Sequence, residues 1–476
     1  MNAFFFSLFA LPLVAELSLE NLTLARAEEI ALEYNKQLLI AKEGVVEAKE
    51  RKLQAISRWL PSLHFDAIWS QFERKEYLFD VYSNILPLSK NAYHSGFTLD
   101  QPVFSSDLLF RLKARQYEER SADRDQVNTV NELLLALRDR YYSVILYELA
   151  LGIQRQNVDY LSEALDQEHM KLEAGNSTTY EVNQSKVAVA NAISLYYETL
   201  KNLKTARNAL IITLGVDPNL EPKLSLKNRE IPLFSVPTIA FKMEKALMKF
   251  HYQSSDFPTI KDVLDHIKHI EDARRLTLFT EGEVLEYVEL ALKQRPDLAR
   301  SCLEIKVAEQ KVWEKVGHYF PKVGGFAHYI YNESEPGPKP FFKEKYYFSG
   351  GLSLSWNLFD SFLREHEVRE ASSQKRAAKI AYTRDLQAIE VQVRDSLYQF
   401  EEALYAFLSS QNGAMLAEQA RYQAADKLAF GRIPPLEYRD SVNQLAMACN
   451  LRNKASTQLM MAYYQLRYAI GQDVSP

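Results

Sequence analysis

Apolar residues recur at alternating steps of three and four from Val127 through Val130, Leu134, Leu137 and Tyr141 to Val144, inside a tract from Ser106 to Leu172 that holds no proline. That is a coiled-coil period written on a long helix. The same spacing returns with Val393, Leu397, Phe400, Leu404 and Phe407, in a second proline-free tract from Ser361 to Ile433. At 1.5 Å per residue, about 67 residues make a helix roughly 100 Å long, more than a globular core can enclose. Each long helix, predicted over 106–172 and 361–430, runs into a glycine, Gly175 or Gly431, the residue best suited to a left-handed helix end. Further helices are predicted over 180–214 and 436–470, and Pro434-Pro435 bars any continuation of the second rod. The two glycines therefore read as the tips of helical hairpins. Because each returning arm is about half as long as its rod, something else must pack beside the remainder. The tracts 23–59 and 283–319, closed by Pro61 and Pro321, have the length to do so.

Between those prolines and the rods the period changes to two. Leu63, Phe65, Ala67 and Trp69 alternate with His64, Asp66 and Ser70; Phe97 and Leu99 alternate with Thr98 and Asp100; Leu352, Leu354, Trp356 and Leu358 alternate with Ser353, Ser355 and Asn357. One apolar and one polar face describe half-buried strands. The chain should thus carry two strand pairs, within 62–104 and 322–359, each joined by a loop (about 74–90 and 333–344). The polar faces hold small or neutral side chains and the apolar faces end in Trp, Tyr and Phe, as in a barrel strand with a lipid side and a wet side. Leu63, Phe65, Trp69, Phe97, Leu99, Leu352, Leu354 and Trp356 are the expected membrane-facing residues. Four strands cannot close a barrel, and an open edge in lipid is prohibitive, so closure requires other chains.

These elements occur twice in the same order. Ala31, Leu32, Leu38, Ala48 and Pro61 recur as Ala291, Leu292, Leu298, Ala308 and Pro321, each 260 positions later. Gly175, Glu181, Ser185, Gly215 and Asp217 recur as Gly431, Glu437, Ser441, Gly471 and Asp473, each 256 positions later. A period this long marks a duplicated unit rather than a solenoid. The expected organisation is a signal segment over 1–15, a first repeat over 16–215, a linking segment over 216–282 and a second repeat over 283–476.

Composition narrows the function classes. Only 15 Gly and 17 Pro in 476 residues agree with few, long elements, and a net charge of -5 gives no footprint for nucleic acid. The apolar run Phe4 to Leu13, followed by Val14-Ala15, reads as a cleaved secretory signal, with no cysteine after it to carry a lipid. No other stretch approaches the ~18 to 20 apolar residues of a membrane helix. Cys302 and Cys449 have no metal-ligand spacing and read as packed, free thiols. No Gly-rich phosphate loop, His-Glu-x-x-His run or nucleophile with a base is present, so neither catalysis nor a cofactor is expected. Lys261, His266, Lys268 and His269, on a helix predicted over about 260–275, are spaced as a solvated face rather than as a metal site.

A rod, a half-length return, a half-length approach and a strand pair, present twice after a secretory signal, with the tips Glu173-Ala174-Gly175 and Ala429-Phe430-Gly431, resemble the outer-membrane factor family of TolC-type exit ducts. The resemblance implies a mainly α fold with a small β part: a homotrimer whose chains give four strands each to a 12-stranded transmembrane β-barrel, continuous with a long antiparallel α-helical coiled-coil barrel. It implies location in the outer membrane of a Gram-negative-type bacterium, contact with outer-membrane lipid, and partnership with a periplasmic adaptor and an inner-membrane transporter. In the family the second tip narrows the entrance. Carried over, Glu437 and Asp440 become pore acids, one helical turn apart. Arg432 and Arg439 become gate candidates with Glu181 as a possible partner, and Gly175, Gly431, Pro434 and Pro435 form the tips where gating and adaptor docking occur. The segment 216–282 is expected to supply most of an equatorial belt. A periplasmic adaptor or a pore-free coiled-coil scaffold is the competing reading; the first would need a Gly-rich lipoyl-like domain, and the second leaves the Trp- and Tyr-flanked strands unexplained.

Overall fold

In a computed structural model, residues 22–71, 91–218, 237–249, 278–334 and 346–472 are described. The signal segment, the loops between paired strands and the helix expected over 260–275 lie outside them. In chain order the elements are α1 (Leu24–Tyr34), α2 (Lys36–Ser57), β1 (Ser62–Gln71), β2 (Asn91–Phe104), α3 (Ser106–Glu173), α4 (Thr179–Leu214), α5 (Pro237–Lys249), α6 (Glu281–Gln294), α7 (Pro296–Gly317), β3 (Lys322–Ser334), β4 (Tyr346–Ser355), α8 (Leu363–Ala429) and α9 (Pro435–Ile470). None of these helices is long and apolar enough to cross a membrane. The chain forms two compact units, and each draws on both repeats: 1–41, 127–295 and 387–476 in one, 42–126 and 296–386 in the other.

The first unit is built on the coiled-coil positions. Leu134, Leu137, Tyr141 and Val144 of α3 and Val393, Leu397, Phe400, Leu404 and Phe407 of α8 are all buried, as their spacing requires. Two of the polar groups inside it are held by named partners. Arg138 Nε donates to Glu28 Oε1 at 2.8 Å while its guanidinium lies 4.5 Å from the Tyr464 ring centroid. Tyr141 donates to the Leu22 carbonyl at 3.2 Å, and burial pushes its hydroxyl up to about 12.

Each approach tract, 23–59 and 283–319, is divided into two helices. The breaks fall at Asn35 and Arg295, and each receives the end of a returning helix. α4 stops at Gly215 (φ 77°) and α9 at Gly471 (φ 79°), both left-handed. A Cβ on Gly215 would come within 2.7 Å of Asn35 Cα, and one on Gly471 within 3.1 Å of Arg295 N. Side chains then seal each joint. Asn35 Nδ2 donates to Thr213 O at 2.7 Å, and its Oδ1 caps α2 by accepting from Gln37 N at 2.9 Å. Arg295 Nη1 donates to Gln392 Oε1 at 2.7 Å and Ala469 O at 3.4 Å. In the second copy Pro296 opens α7, where a missing N–H costs nothing.

The second unit carries the sheet. Its four strands are antiparallel in the order β1-β2-β3-β4, and the middle pair joins the two repeats. The helices flanking the strands follow the same order. Lys52 Nζ reaches Glu119 at 2.6 Å between α2 and α3, Arg111 Nε reaches Glu314 at 2.8 Å between α3 and α7, and Lys375 Nζ reaches Glu309 at 2.7 Å between α7 and α8. Gly317 permits the α3–α7 approach, since a Cβ there would sit 2.7 Å from Asp107 N. Asp107 is buried at the start of α3, where Ser105 Oγ donates to it and Lys322 Nζ lies 3.2 Å away. Those bonds outweigh desolvation and hold its carboxyl below the ordinary range.

One expected strand is shorter than its alternation. β4 ends at Ser355, so Trp356 and Leu358 are not strand residues. The partner strand sets the stop: the last pair is Lys322 with Ser355, and the residue before Lys322 is Pro321, which has no N–H to give. Beyond it Arg364 donates to Asn357 O at 2.8 Å, Leu358 O at 3.3 Å and Asp360 Oδ2 at 2.7 Å. Trp356 Nε1 instead donates to Tyr319 O at 3.1 Å. Ser361 and Phe362 then adopt positive φ (58° and 67°), and α8 begins at Leu363 rather than 361.

Replacing Gly215 with Ala combines a left-handed backbone with a backbone clash, whereas Gly175, equally left-handed, has nothing within 4 Å of its Cβ position. Gly215→Ala should therefore lower stability by about 2 kcal/mol or more, and Gly175→Ala by about 1. Thermal melting of the detergent-solubilised protein gives the order; equal losses would remove the joint from the account.

Candidate functional site: the hairpin tips and the strand sheet

The two tips share a backbone and differ in chemistry. In the first, Gly175 (φ 79°) donates to Leu172 O at 3.0 Å and Asn176 N to Lys171 O at 2.8 Å. In the second, Gly431 (φ 67°) donates to Leu428 O at 2.9 Å and Arg432 N to Lys427 O at 2.8 Å. These paired bonds satisfy carbonyls that a helix end leaves orphaned. α4 opens with a capping box: Thr178 Oγ1 accepts from Glu181 N, and Glu181 Oε2 accepts from Thr178 N at 2.8 Å. α9 opens on Pro434 and Pro435 with no side-chain cap.

Glu181 is consequently committed to its own helix. Hydrogen bonds from the Thr178 backbone, then from Ser177 and Thr178 hydroxyls, hold its carboxyl below the ordinary range. Among the described residues no ion pair joins it to Arg432 or Arg439 within the chain. Arg432 instead lies 5.6 Å from the Phe430 ring centroid. Arg439 and Glu181 do line one cavity of about 260 Å³, together with Tyr180, Pro434, Pro435 and the buried Glu168. Glu168 accepts from Lys171 Nζ at 2.8 Å and from Ser177 Oγ at 2.9 Å, tying the rod to the turn. Asp440 lines a neighbouring, more open groove of about 650 Å³, and Glu437 is exposed in the first turn of α9. Sequence reasoning passed over Glu168, which no local pattern singles out. It also passed over the cap role of Glu181, which Thr178-x-x-Glu181 spells out.

In the sheet, register puts the expected membrane-facing residues on one side. Leu63 opposes Leu99, Phe65 opposes Phe97, and Trp69 opposes Tyr93. Phe97 meets Tyr329, which meets Phe348, and Leu354 meets Val323. Phe65 and Phe97 pack with ring centroids 4.9 Å apart. This side is bare: Phe348 is 73% exposed, Leu352 76% and Leu354 69%. Such a continuous apolar surface belongs in lipid or against another chain. Trp356, off the ladder, is the one expected residue that the sheet does not hold. Cys302 and Cys449 are free, and among the described residues no three His, Cys, Asp or Glu side chains gather as a metal site.

Long hairpins and an apolar-faced antiparallel sheet on one chain define an outer-membrane channel class. The family model described as outer membrane efflux protein matches residues 29–216 and 287–472, and the chain belongs to that family. It is a transport protein of the outer membrane, not an enzyme. Comparison with curated proteins finds no sequence match. Among solved structures it resembles a membrane protein from Pseudomonas aeruginosa (16% identity, 94% of this chain and 93% of that one, TM-score 0.72). It also resembles the Campylobacter jejuni CmeC outer membrane channel (13%, 95% and 86%, 0.73) and the Vibrio cholerae outer membrane protein VceC (15%, 94% and 96%, 0.69). At these identities the likeness is one of fold.

Glu181 fixes the sign of a pH effect at the first tip. Its folded pKa lies below the unfolded value, so its capping contributes stability above the unfolded pKa of about 4.3 and loses it as pH falls through the folded one. Glu181→Gln should speed hydrogen exchange of the first α4 amides at neutral pH and converge with wild type in acid. A difference that persists undiminished in acid would rule out the carboxylate as its source.

Proposed function

We propose that three copies of this chain assemble into an exit duct of a tripartite efflux or type I secretion system. The observation that carries the reading is the sheet: β1 and β4 are both edge strands, and the surface they bound is apolar and exposed. Unsatisfied edges are not tolerated in lipid, and three four-stranded sheets pairing edge to edge give a closed 12-stranded barrel. The helices on either side of the strands in the chain then form a helical barrel that crosses the periplasm. Exposed apolar side chains along them, among them Ile40 on α2, Val187 on α4, Ile380 on α8 and Met447 on α9, agree with burial against neighbouring chains. In this reading the repeats 16–215 and 283–476 are equivalent staves, and 216–282 belts the helical part.

Transport is passive. An inner-membrane transporter supplies energy and a periplasmic adaptor docks at the tips around Gly175, Gly431, Pro434 and Pro435. Threefold symmetry turns Glu437 and Asp440 into rings of three carboxylates, a cation-selective constriction. Arg432 and Arg439, unmatched by Glu181 within their own chain, are left to bond across chain boundaries and hold the second tips together. A pore-free scaffold would require the bare apolar sheet to face water.

Detergent-solubilised protein added to a planar bilayer should give step-like currents, and a preparation that never conducts would overturn the duct. Arg432→Glu should raise single-channel conductance severalfold by replacing a gate contact with repulsion; unchanged conductance would remove Arg432 from the gate. Glu437→Gln with Asp440→Asn should shift the reversal potential toward weaker cation preference.

A further inference from the structure

The polar side of the sheet has an order that its sequence does not advertise. One cross-strand row runs His64–Thr98–His328–Ser349, each residue directly opposite the next. His328 is held in place on two sides: its Nδ1 lies 3.2 Å from Thr98 Oγ1, and its ring packs 5.1 Å from that of Phe326, two residues along the same strand face. The rows above and below carry Asp66 and Asp100, which face His64 from β1 and β2. Around His328, β4 presents the Tyr347 phenol and small residues, and His94 of β2 lies further along the same side. Lys322, also on this side, is engaged by Asp107.

The two imidazoles sit on β1 and β3, with one strand between them. At about 4.8 Å per strand their backbones are roughly 10 Å apart, wide for a shared metal ion but suited to a layer of separate charges. Closing three sheets into one barrel turns the apolar side to lipid and this side to the lumen, with an imidazole on every second strand. Imidazole is the side chain whose charge ordinarily changes between pH 5 and 8. Two carboxylates per chain dominate this side when the imidazoles are neutral, and protonation offsets them.

We infer that His64 and His328 form a proton-responsive charge layer in the strand-walled part of the duct, which makes the lumen cation-attracting at alkaline pH and neutral to anion-attracting under acid. The inference rests on the trimeric duct proposed above, because a lone sheet has no lumen. A fixed charge in a wide vestibule acts on permeant ions through their local concentration, so it shows best at low salt, where screening extends over about 30 Å at 10 mM. An acidic medium reaching this layer would thereby change which small ions gather there, while the tip gate stays untouched.

The test is single-channel recording in ~10 mM KCl, acidifying from pH 8 to 5.5 only the compartment into which the strands open. Wild-type potassium conductance should fall about twofold. His64→Asn with His328→Asn should abolish the fall, and His64→Lys with His328→Lys should give the low value already at pH 8. Tip carboxylates are common to all three proteins, so the comparison isolates the row. Conducting channels in which wild type and the Asn pair respond alike, or in which neither Lys nor Asn changes anything, would overturn the layer while leaving the duct intact. A complete absence of conductance in wild type would overturn the duct itself, and the layer with it.

Discussion

Two left-handed glycines, each pressed against a break in another helix, set the geometry on which the rest of the chain depends. Gly215 meets the break at Asn35, and Gly471 meets the break at Arg295. Both joints need a residue with positive φ and no side chain, two demands that only glycine satisfies together. Through them a returning helix ends where an approach helix is interrupted.

Duplication gave the chain two copies of this joint, and they have since been sealed differently. The first uses a neutral amide that caps α2 and reaches Thr213; the second uses a guanidinium that spans Gln392 and Ala469 and stacks 5.5 Å over Tyr468. The tips diverge in the same manner. Thr178 and Glu181 close the first on itself, while Pro434-Pro435 starts the second without a cap. The carboxylates of the first tip, Glu168 and Glu181, are spent on bonds within that tip. The second tip, whose Arg432, Glu437 and Asp440 are exposed, is available to a neighbour, which supports the proposal that the second hairpin carries the gate.

Much of this was legible in the sequence, because periodicity reports burial directly. The alternation of Leu63, Phe65, Phe97 and Leu99 gave the face of the sheet, and the steps of three and four gave the buried stripe of each rod. What was not legible depends on partners distant in the chain. The break at Asn35 carries only the weak signal of a residue type that favours helix caps; the one at Arg295 had a stronger signal in Pro296, which restricts the preceding residue and favours a helix start. Trp356 and Leu358 continue the alternation of β4 faithfully, yet the partner strand begins only at Lys322, opposite Ser355, and leaves them nothing to pair with. Within the chain the Glu181 carboxylate accepts from Thr178 N in a capping box, a local use that reasoning toward a distant arginine partner did not bring out. The His64–Thr98–His328 row needs a register across three strands and two repeats, which no single segment encodes.

The central claim is that one chain is a third of a barrel. Native mass spectrometry of the protein released from detergent micelles reads the copy number directly. The account predicts a species of three chains that survives release and dissociates only on strong activation. A stable monomer, with its sheet edges and apolar face accommodated by one chain alone, would contradict it.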